Sequence, residues 1–168
     1  GPYSLYGEAL VSACIKTGTH YCDITGEIPF IWNTIHKLHD SAIKAKVKIV
    51  HSCGFDSIPS DLGCLFLQNQ AIQSHGKPCT YIKLYVERLK GGVSGGTVAS
   101  MIAIIKQVKD EKIKKVLFNP FALYPEGTPP GPKQPWQKKI QWDEAMNCWT
   151  SPFIMAQFNC CIVRRSNA

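Results

Sequence analysis

The chain alternates between segments with helical spacing of apolar residues and short runs rich in β-branched residues. Helical spacing covers residues 5–16, 29–45 and 60–73, and the β-prone runs are residues 20–25 and 47–52. The connections between them are only a few residues long. This order is typical of a parallel sheet with right-handed crossovers. We therefore predict an α/β fold for the first part of the chain.

Residues with known preferences for helix ends mark the first helix. Ser4 has the chemistry of an N-cap, and Glu8 in the first turn would complement the helix dipole. Gly18 follows the last apolar position and is expected to end the helix.

A change in composition at residues 74–78 predicts a domain boundary, with one unit over 1–76 and a second over 77–168. Beyond it, residues 80–89 alternate polar and apolar side chains, which predicts a half-buried antiparallel strand. Residues 97–118 have the spacing of one long helix. The second unit is therefore predicted to contain an antiparallel strand followed by a long helix.

A glycine-rich loop, residues 91–96, lies between this strand and this helix. A phosphate cradle is one interpretation, because helix amides and close backbone approach suit a diphosphate. The loop matches neither known glycine-rich phosphate pattern, so a tight turn that lines a substrate pocket is the interpretation we favour. Residues 120–135 are rich in Pro and Gly and predict a surface loop.

Composition excludes several classes of protein. Apolar residues make up 45% and charged residues 18% of the chain, which is typical of a folded domain. The net charge of +7 favours anionic partners, but the lysines between residues 106 and 115 have the spacing of a solvated helix face. The eight cysteines show no C-x-x-C pair and no compact spacing, so we expect free thiols and no metal site. Nucleic acid is not an expected partner.

One apolar segment, residues 149–163, is too short and too polar to span a membrane. We interpret it as a buried or interfacial helix, which leaves a lipid surface open as a partner.

The ends of the two predicted parallel strands carry the residues with the most chemistry. In open parallel sheets ligands bind at the carboxyl ends of strands. Asp23, Thr25 and Glu27 follow the first strand, and a loop over residues 53–61 follows the second. His51 and Cys53 could form a nucleophile and base pair, since alternate residues of a strand share a face. A structural histidine beside an inert thiol is the other interpretation, and the one we favour.

Several short motifs resemble one family in the same order along the chain. They are Gly1-Pro2-Tyr3, Tyr6-Gly7-Glu8, Thr19-His20-Tyr21, Asp23-Ile24-Thr25-Gly26-Glu27, the run from His51 to Asp61, Ser94-Gly95-Gly96-Thr97, Trp149-Thr150-Ser151-Pro152-Phe153 and Arg164-Arg165-Ser166-Asn167. Together they resemble saccharopine dehydrogenase-like oxidoreductases and the related trans-acting enoyl reductases.

The resemblance implies a Rossmann-like NAD(P) domain with an inserted α+β substrate domain. The chain would hold the carboxyl-terminal part of the Rossmann-like parallel sheet and part of the substrate domain, with hydride transfer to an apolar or lipid-related substrate. The implied site residues fall into three groups. Gly1, Pro2, Tyr3, Cys53, Gly54 and Phe55 would contact the cofactor, Cys53 and Asp56 are catalytic candidates, and Gly95, Gly96 and Thr97 would face the substrate.

The glycine-rich diphosphate turn of that family has no counterpart in this sequence. We therefore expect a fragment, poorly stable alone, that does not bind NAD(P) tightly. The resemblance also suggests a lipid droplet, a mitochondrion or a membrane surface as the location, and a homodimer as an assembly. The alternative function is a non-catalytic protein of lipid surfaces that keeps the oxidoreductase fold.

Overall fold

The computed structural model describes residues 2–129, 131 and 137–168. Gly1, Pro130, Pro132 and Pro135, which the sequence analysis covers, lie outside the described residues. The elements in chain order are α1 Tyr3–Thr17, β1 Tyr21–Cys22, α2 Ile28–Ala45, β2 Ile49–Val50, α3 Ile58–His75, α4 Gly95–Gln107, α5 Glu111–Phe118, β3 Gln141–Asp143, β4 Cys148–Thr150 and α6 Ala156–Ser166.

The predicted parallel pair is present, and α2 connects its two strands. β1 and β2 pair in parallel with Tyr21 opposite Ile49. The strands are shorter than their β-prone runs, because Ser52 adopts a left-handed backbone conformation with φ of 61° directly after β2. The chain is thus a mixed α/β structure with a small parallel sheet.

The start of α1 differs from the prediction in its capping group. Pro2 occupies the N-cap position, and Ser4 lies inside the helix instead of capping it. The main-chain amides of Tyr3 and Ser4 both donate to the carboxylate of Glu27, at 2.9 Å each. A side chain distant in the sequence therefore satisfies the helix terminus. The Ser4 hydroxyl is buried, with no partner among the described residues.

The predicted strand over residues 80–89 is wrong. The structure shows no ladder there, because no neighbouring strand of the described chain supplies hydrogen-bond partners. The segment is held instead by side chains. Lys83 Nζ and Tyr85 Oη each donate to Asp143 at 2.9 Å, which attaches the segment to β3.

The single helix predicted over residues 97–118 is also wrong. It is divided into α4 and α5 because Asp110 caps a new helix, its carboxylate accepting from the amide of Lys112 at 2.8 Å. Lysines at 106, 109, 112, 114 and 115 are exposed, which confirms the solvated face.

The apolar segment over residues 149–163 is not one helix. Trp149 lies in β4, which pairs antiparallel with β3, and α6 begins only at Ala156. Phe158, Asn159 and Cys161 of α6 are buried in the protein. The prediction of one helix over this segment is therefore wrong, and the buried alternative is confirmed only for α6, since Trp149 and Ile154 are exposed. No helix in the described ranges is long and apolar enough to cross a membrane.

The core forms where α1 packs on α2 and continues through Val116, Leu123 and the buried face of α6. α3 contacts α6 at the edge of this core. Gly7 of α1 lies directly against Phe30 of α2, and Val11 and Phe30 are almost fully buried. The accessible surface is 11971 Å², against about 8,300 Å² expected for a compact chain of this mass. Much apolar surface is exposed, including α3, which has no buried residue.

Candidate functional site

Asp23 is the centre of a buried hydrogen-bond network at the carboxyl end of β1. Its Oδ1 atom accepts from the main-chain amides of Thr25 and Ser52, at 3.0 Å each. Its Oδ2 atom accepts from the Tyr21 hydroxyl at 2.9 Å and lies 2.6 Å from His51 Nδ1. The carboxylate therefore joins the ends of both parallel strands.

The protonation of this network follows from its geometry. Burial opposes ionisation of Asp23, but the hydrogen bonds from His51 and from the two amides outweigh it and lower the pKa of the carboxyl group. Burial, together with the Asp23 charge, raises the pKa of Tyr21. Tyr21 therefore stays a hydrogen-bond donor, and Asp23 stays an acceptor.

His51 is held at both ring nitrogens, which supports the interpretation of a structural histidine. Nδ1 contacts Asp23, and Nε2 lies 2.9 Å from Thr34 Oγ1. The Thr34 hydroxyl can in turn donate to the main-chain carbonyl of Ile31 at 2.9 Å, which leaves its oxygen free to accept from Nε2. Both ring nitrogens are thus engaged, which orients the ring away from the role of a free base.

Cys53 and His51 do not form a nucleophile and base pair. The Cys53 thiol lies near main-chain carbonyls, 3.5 Å from that of Val50, while both His51 nitrogens have other partners. Ser52 has a positive φ, so residues 51 and 53 are not alternate positions of a regular strand. Burial, the nearby Cys22 and the Asp23 charge raise the pKa of the Cys53 thiol. Its exposed side chain is therefore a weak nucleophile.

Glu27 connects the start of α1 with α4. Besides the two α1 amides, its Oε1 atom accepts from the Ser100 hydroxyl at 2.7 Å. Glu27 is only 2% exposed, and its own amide donates to Thr25 Oγ1. A single buried carboxylate thus joins the Pro2-Tyr3 segment, predicted on the cofactor side, to the helix that follows the predicted substrate-side loop.

An apolar groove of about 290 Å³ lies beside this connection, between the start of α1 and α4. Two of its lining residues, Pro2 and Ala99, are the sequence neighbours of Tyr3 and Ser100, which donate hydrogen bonds to Glu27. The lining includes Pro2, Leu5, Ala99, Ile102, Ala103 and Lys106.

The loop after β2 is fixed by α6. Asn159 Nδ2 donates to the main-chain carbonyl of Asp56 at 2.8 Å and to Ser60 Oγ at 3.1 Å, and Asn159 Oδ1 accepts from Ser57 Oγ. Gly54 allows close approach to β1, since a Cβ there would lie 3.1 Å from Cβ of Ile24. Phe55 is 84% exposed. The side chain of Asp56 is also exposed, so this candidate is not aligned with the Asp23 network.

Tyr3 reaches the network through aromatic contacts. Tyr3 stacks on Phe30 with ring centroids 5.6 Å apart, and Phe30 meets His51 edge to face at 5.2 Å. Gly95, Gly96 and Thr97 are exposed at the start of α4, where the Ser94 hydroxyl accepts from the Thr97 amide. These three residues precede the α4 residues that line the groove, and they are not part of the lining themselves.

The predicted residues Asp23, Thr25 and Glu27 lie together on the segment after β1, and the parallel pairing brings Ser52 to Asp23. Thr34 and Ser100 were not singled out in the sequence. One local pattern could have indicated Thr34, since it lies on the buried stripe of α2 between Ile31 and Ala42.

Within the described ranges, no group of three or more His, Cys, Asp or Glu side chains could hold a metal ion. The eight cysteines are free.

Comparison with known proteins gives matches that cover the whole of this chain. The chain is 41% identical over 175 residues to a Mycobacterium tuberculosis protein whose name describes a trans-acting enoyl reductase. It is 36% identical over 176 residues to the trans-acting enoyl reductases of Mycobacterium leprae and Mycobacterium bovis. Each alignment covers 100% of this chain and 42% of the relative.

No family model and no solved structure matches the chain. The similarity to enoyl reductases confirms that part of the resemblance given by the motifs. Along its whole length the chain is similar to trans-acting enoyl reductases, and it spans about two fifths of their length.

Proposed function

We propose that the chain is part of an NAD(P)-dependent, saccharopine dehydrogenase-like oxidoreductase that reduces an enoyl group on an apolar acyl substrate. The observation that carries the proposal is the similarity to trans-acting enoyl reductases over 100% of the chain. The geometry supports it, because the parallel strand ends, the start of α1 and an apolar groove lie in one connected region.

The described residues fit the nicotinamide end of the cofactor better than its diphosphate. Phe55 offers an exposed ring beside the close-packed backbone of Gly54, and Tyr3 contacts His51 through the ring of Phe30. At the start of α1, however, the amides of Tyr3 and Ser4 already donate to Glu27. A carboxylate there repels a phosphate, so this terminus is not a diphosphate cradle.

In this proposal a bound reduced nicotinamide supplies the hydride, and the chain supplies walls and alignment. Glu27 and Ser100 fix the start of α1 against α4, and this contact sets the groove beside them. Ala99 and Ala103 have small side chains one helical turn apart, which leaves room for an alkyl chain. The apolar lining favours the acyl part of a substrate over a polar metabolite.

The test compares the chain alone with a fusion that adds the portion of the Mycobacterium tuberculosis relative outside the matched region. NADPH is titrated by fluorescence, and its oxidation is then followed with a trans-2-octenoyl thioester. We expect saturable NADPH binding and turnover in the fusion, and at most weak NADPH binding to the chain alone. Absence of NADPH binding to a folded fusion would contradict the proposal.

Two variants of the fusion test the groove. Ala99→Leu narrows the groove and is expected to raise KM for the octenoyl thioester several-fold while NADPH affinity is unchanged. Val98→Leu is the matched control, because Val98 is exposed and does not line the groove. An equal KM for both variants would place the acyl chain elsewhere.

The alternative function on a lipid surface no longer rests on a single apolar helix. Its apolar segment is divided between the β3–β4 hairpin and α6; Phe158 and Cys161 of α6 are buried, whereas Trp149 and Ile154 are exposed. Lipid droplets, mitochondria and a homodimer remain implications of the resemblance alone.

A further inference from the structure

A second cavity, separate from the groove, lies between α2, β2 and α6. Its volume is about 250 Å³. Val47, Ile49 and His51 alternate along β2 and its flanks, so their side chains form one wall. Arg165 of α6 is also part of the lining. Most of the remaining lining is apolar and comes from α2.

The charges around this cavity are unbalanced. Arg165 is half-buried, and burial lowers the pKa of its guanidinium group. Its Nη1 atom donates to the main-chain carbonyl of Leu123 at 2.8 Å. In the described part of the chain, no carboxylate lies within 4.0 Å of Arg165. A guanidinium has five N–H donors, so it retains donors for a further acceptor.

The rest of the lining adds no negative charge. His39 and His51 also line the cavity, and the lining contains no Asp or Glu. Asp23, which contacts His51, is already engaged by His51, Tyr21 and two amides. The cavity therefore presents the Arg165 guanidinium beside apolar walls.

We propose that this cavity binds a small organic anion, with a carboxylate or phosphate on Arg165 and a short apolar body against Ile35, Val47 and Ile49. The planar guanidinium matches both anions, because it can donate two parallel hydrogen bonds. The volume is just below the usual range of ligand cavities, about 300–1,000 Å³, which limits the ligand to a short chain. This site is independent of the proposed enoyl reductase activity.

The neighbouring Arg164 provides a matched control. Its guanidinium lies 4.8 Å from the centroid of the Phe121 ring and donates to the main-chain carbonyl of Pro120, and it does not line the cavity. Arg165→Gln and Arg164→Gln therefore remove the same charge from adjacent positions, one inside the site and one outside it.

The experiment titrates hexanoate, hexyl phosphate and hexanol into the isotope-labelled 168-residue chain and follows the amide resonances of Thr34, Val47 and His51. We expect saturable shifts with at least one of the two anions and much weaker binding of hexanol. Comparison of the two anions identifies the preferred head group. Arg165→Gln should weaken anion binding by about tenfold or more, the usual effect of losing a charge-assisted hydrogen bond, and Arg164→Gln should leave it unchanged.

Equal binding of hexanol and both anions, or an equal effect of the two arginine variants, would overturn the proposal. No shift at the three amides with any ligand would also overturn it. If Arg165→Gln fails to fold, the comparison of anion with hexanol on the unmodified chain still decides the question.

Discussion

Gly7 is the position where the packing of α1 on α2 leaves the least room. A Cβ at residue 7 would lie 2.6 Å from Cε2 and Cζ of Phe30. Phe30 is 2% exposed and contacts both Tyr3 and His51 through its ring. The ring therefore cannot move aside without disturbing the candidate site. We expect Gly7→Ala to force α1 and α2 apart or to displace Phe30.

The magnitude follows from two opposing terms. Overpacking a core position costs about 1–3 kcal/mol, and replacing a helical Gly by Ala contributes about 1 kcal/mol through helix propensity. A contact as short as 2.6 Å with a buried ring places the cost in the upper part of its range. We expect the free energy of unfolding to fall by about 1–2 kcal/mol.

Urea denaturation followed by far-ultraviolet circular dichroism measures this change. Gly63→Ala in α3 is the control, since a Cβ there meets nothing within 4 Å, and it should stabilise by about 0.5–1 kcal/mol. Phe30→Leu should relieve the clash, so the double variant should lose less than the sum of the single variants. Equal stabilisation by Gly7→Ala and Gly63→Ala would refute the packing argument.

Three further predictions concern the buried polar groups and thiols. The pKa of Asp23 is lower in the folded than in the unfolded chain, so its ionised carboxylate stabilises the fold above the unfolded pKa of about 4. This stabilisation is lost as the pH falls through the folded pKa. Asp23→Asn should therefore have a lower free energy of unfolding at pH 7, and that free energy should fall less steeply between pH 7 and 2 in denaturation curves. Glu27→Ala should lower the free energy of unfolding by about 1–3 kcal/mol in urea titrations, because it leaves the amides of Tyr3 and Ser4 without an acceptor. Ser100→Ala should lower it by less, because it removes only one donor to Glu27. Equal losses in the two variants would contradict this prediction. Burial raises the pKa of the Cys161 thiol to about 11, so little of it is a reactive thiolate at pH 8. Iodoacetamide at pH 8 should therefore label the exposed Cys148 and spare Cys161 in the folded chain, as measured by peptide mass spectrometry. Equal labelling of the two cysteines would show that α6 is not packed as described.

The local sequence predicts the first half of the fold because its signals are local. Apolar periodicity places α1, α2 and α3 within two residues of their observed ends, and short connections imply the parallel pairing of β1 with β2. That pairing brings His51 and Ser52, which follow β2, to Asp23, which follows β1. The short motifs also indicate the resemblance to enoyl reductases that the comparisons support.

Local patterns could not predict elements whose partners are distant. Alternation over residues 80–89 predicts a strand, but a strand also needs a neighbour, and the described chain provides none there. The long helix over 97–118 is divided because Asp110 caps a new helix, a choice that apolar spacing does not reveal.

The tertiary structure alone decided how the site is assembled. Ser4 has the chemistry of a cap, yet Glu27, 23 residues away, caps α1 and also binds Ser100. His51 has the chemistry of a base, yet Asp23 and Thr34 engage both its nitrogens. Sequence determines which groups are available and which strand ends they follow. The choice among several competent partners depends on distances between elements, which only the folded chain fixes.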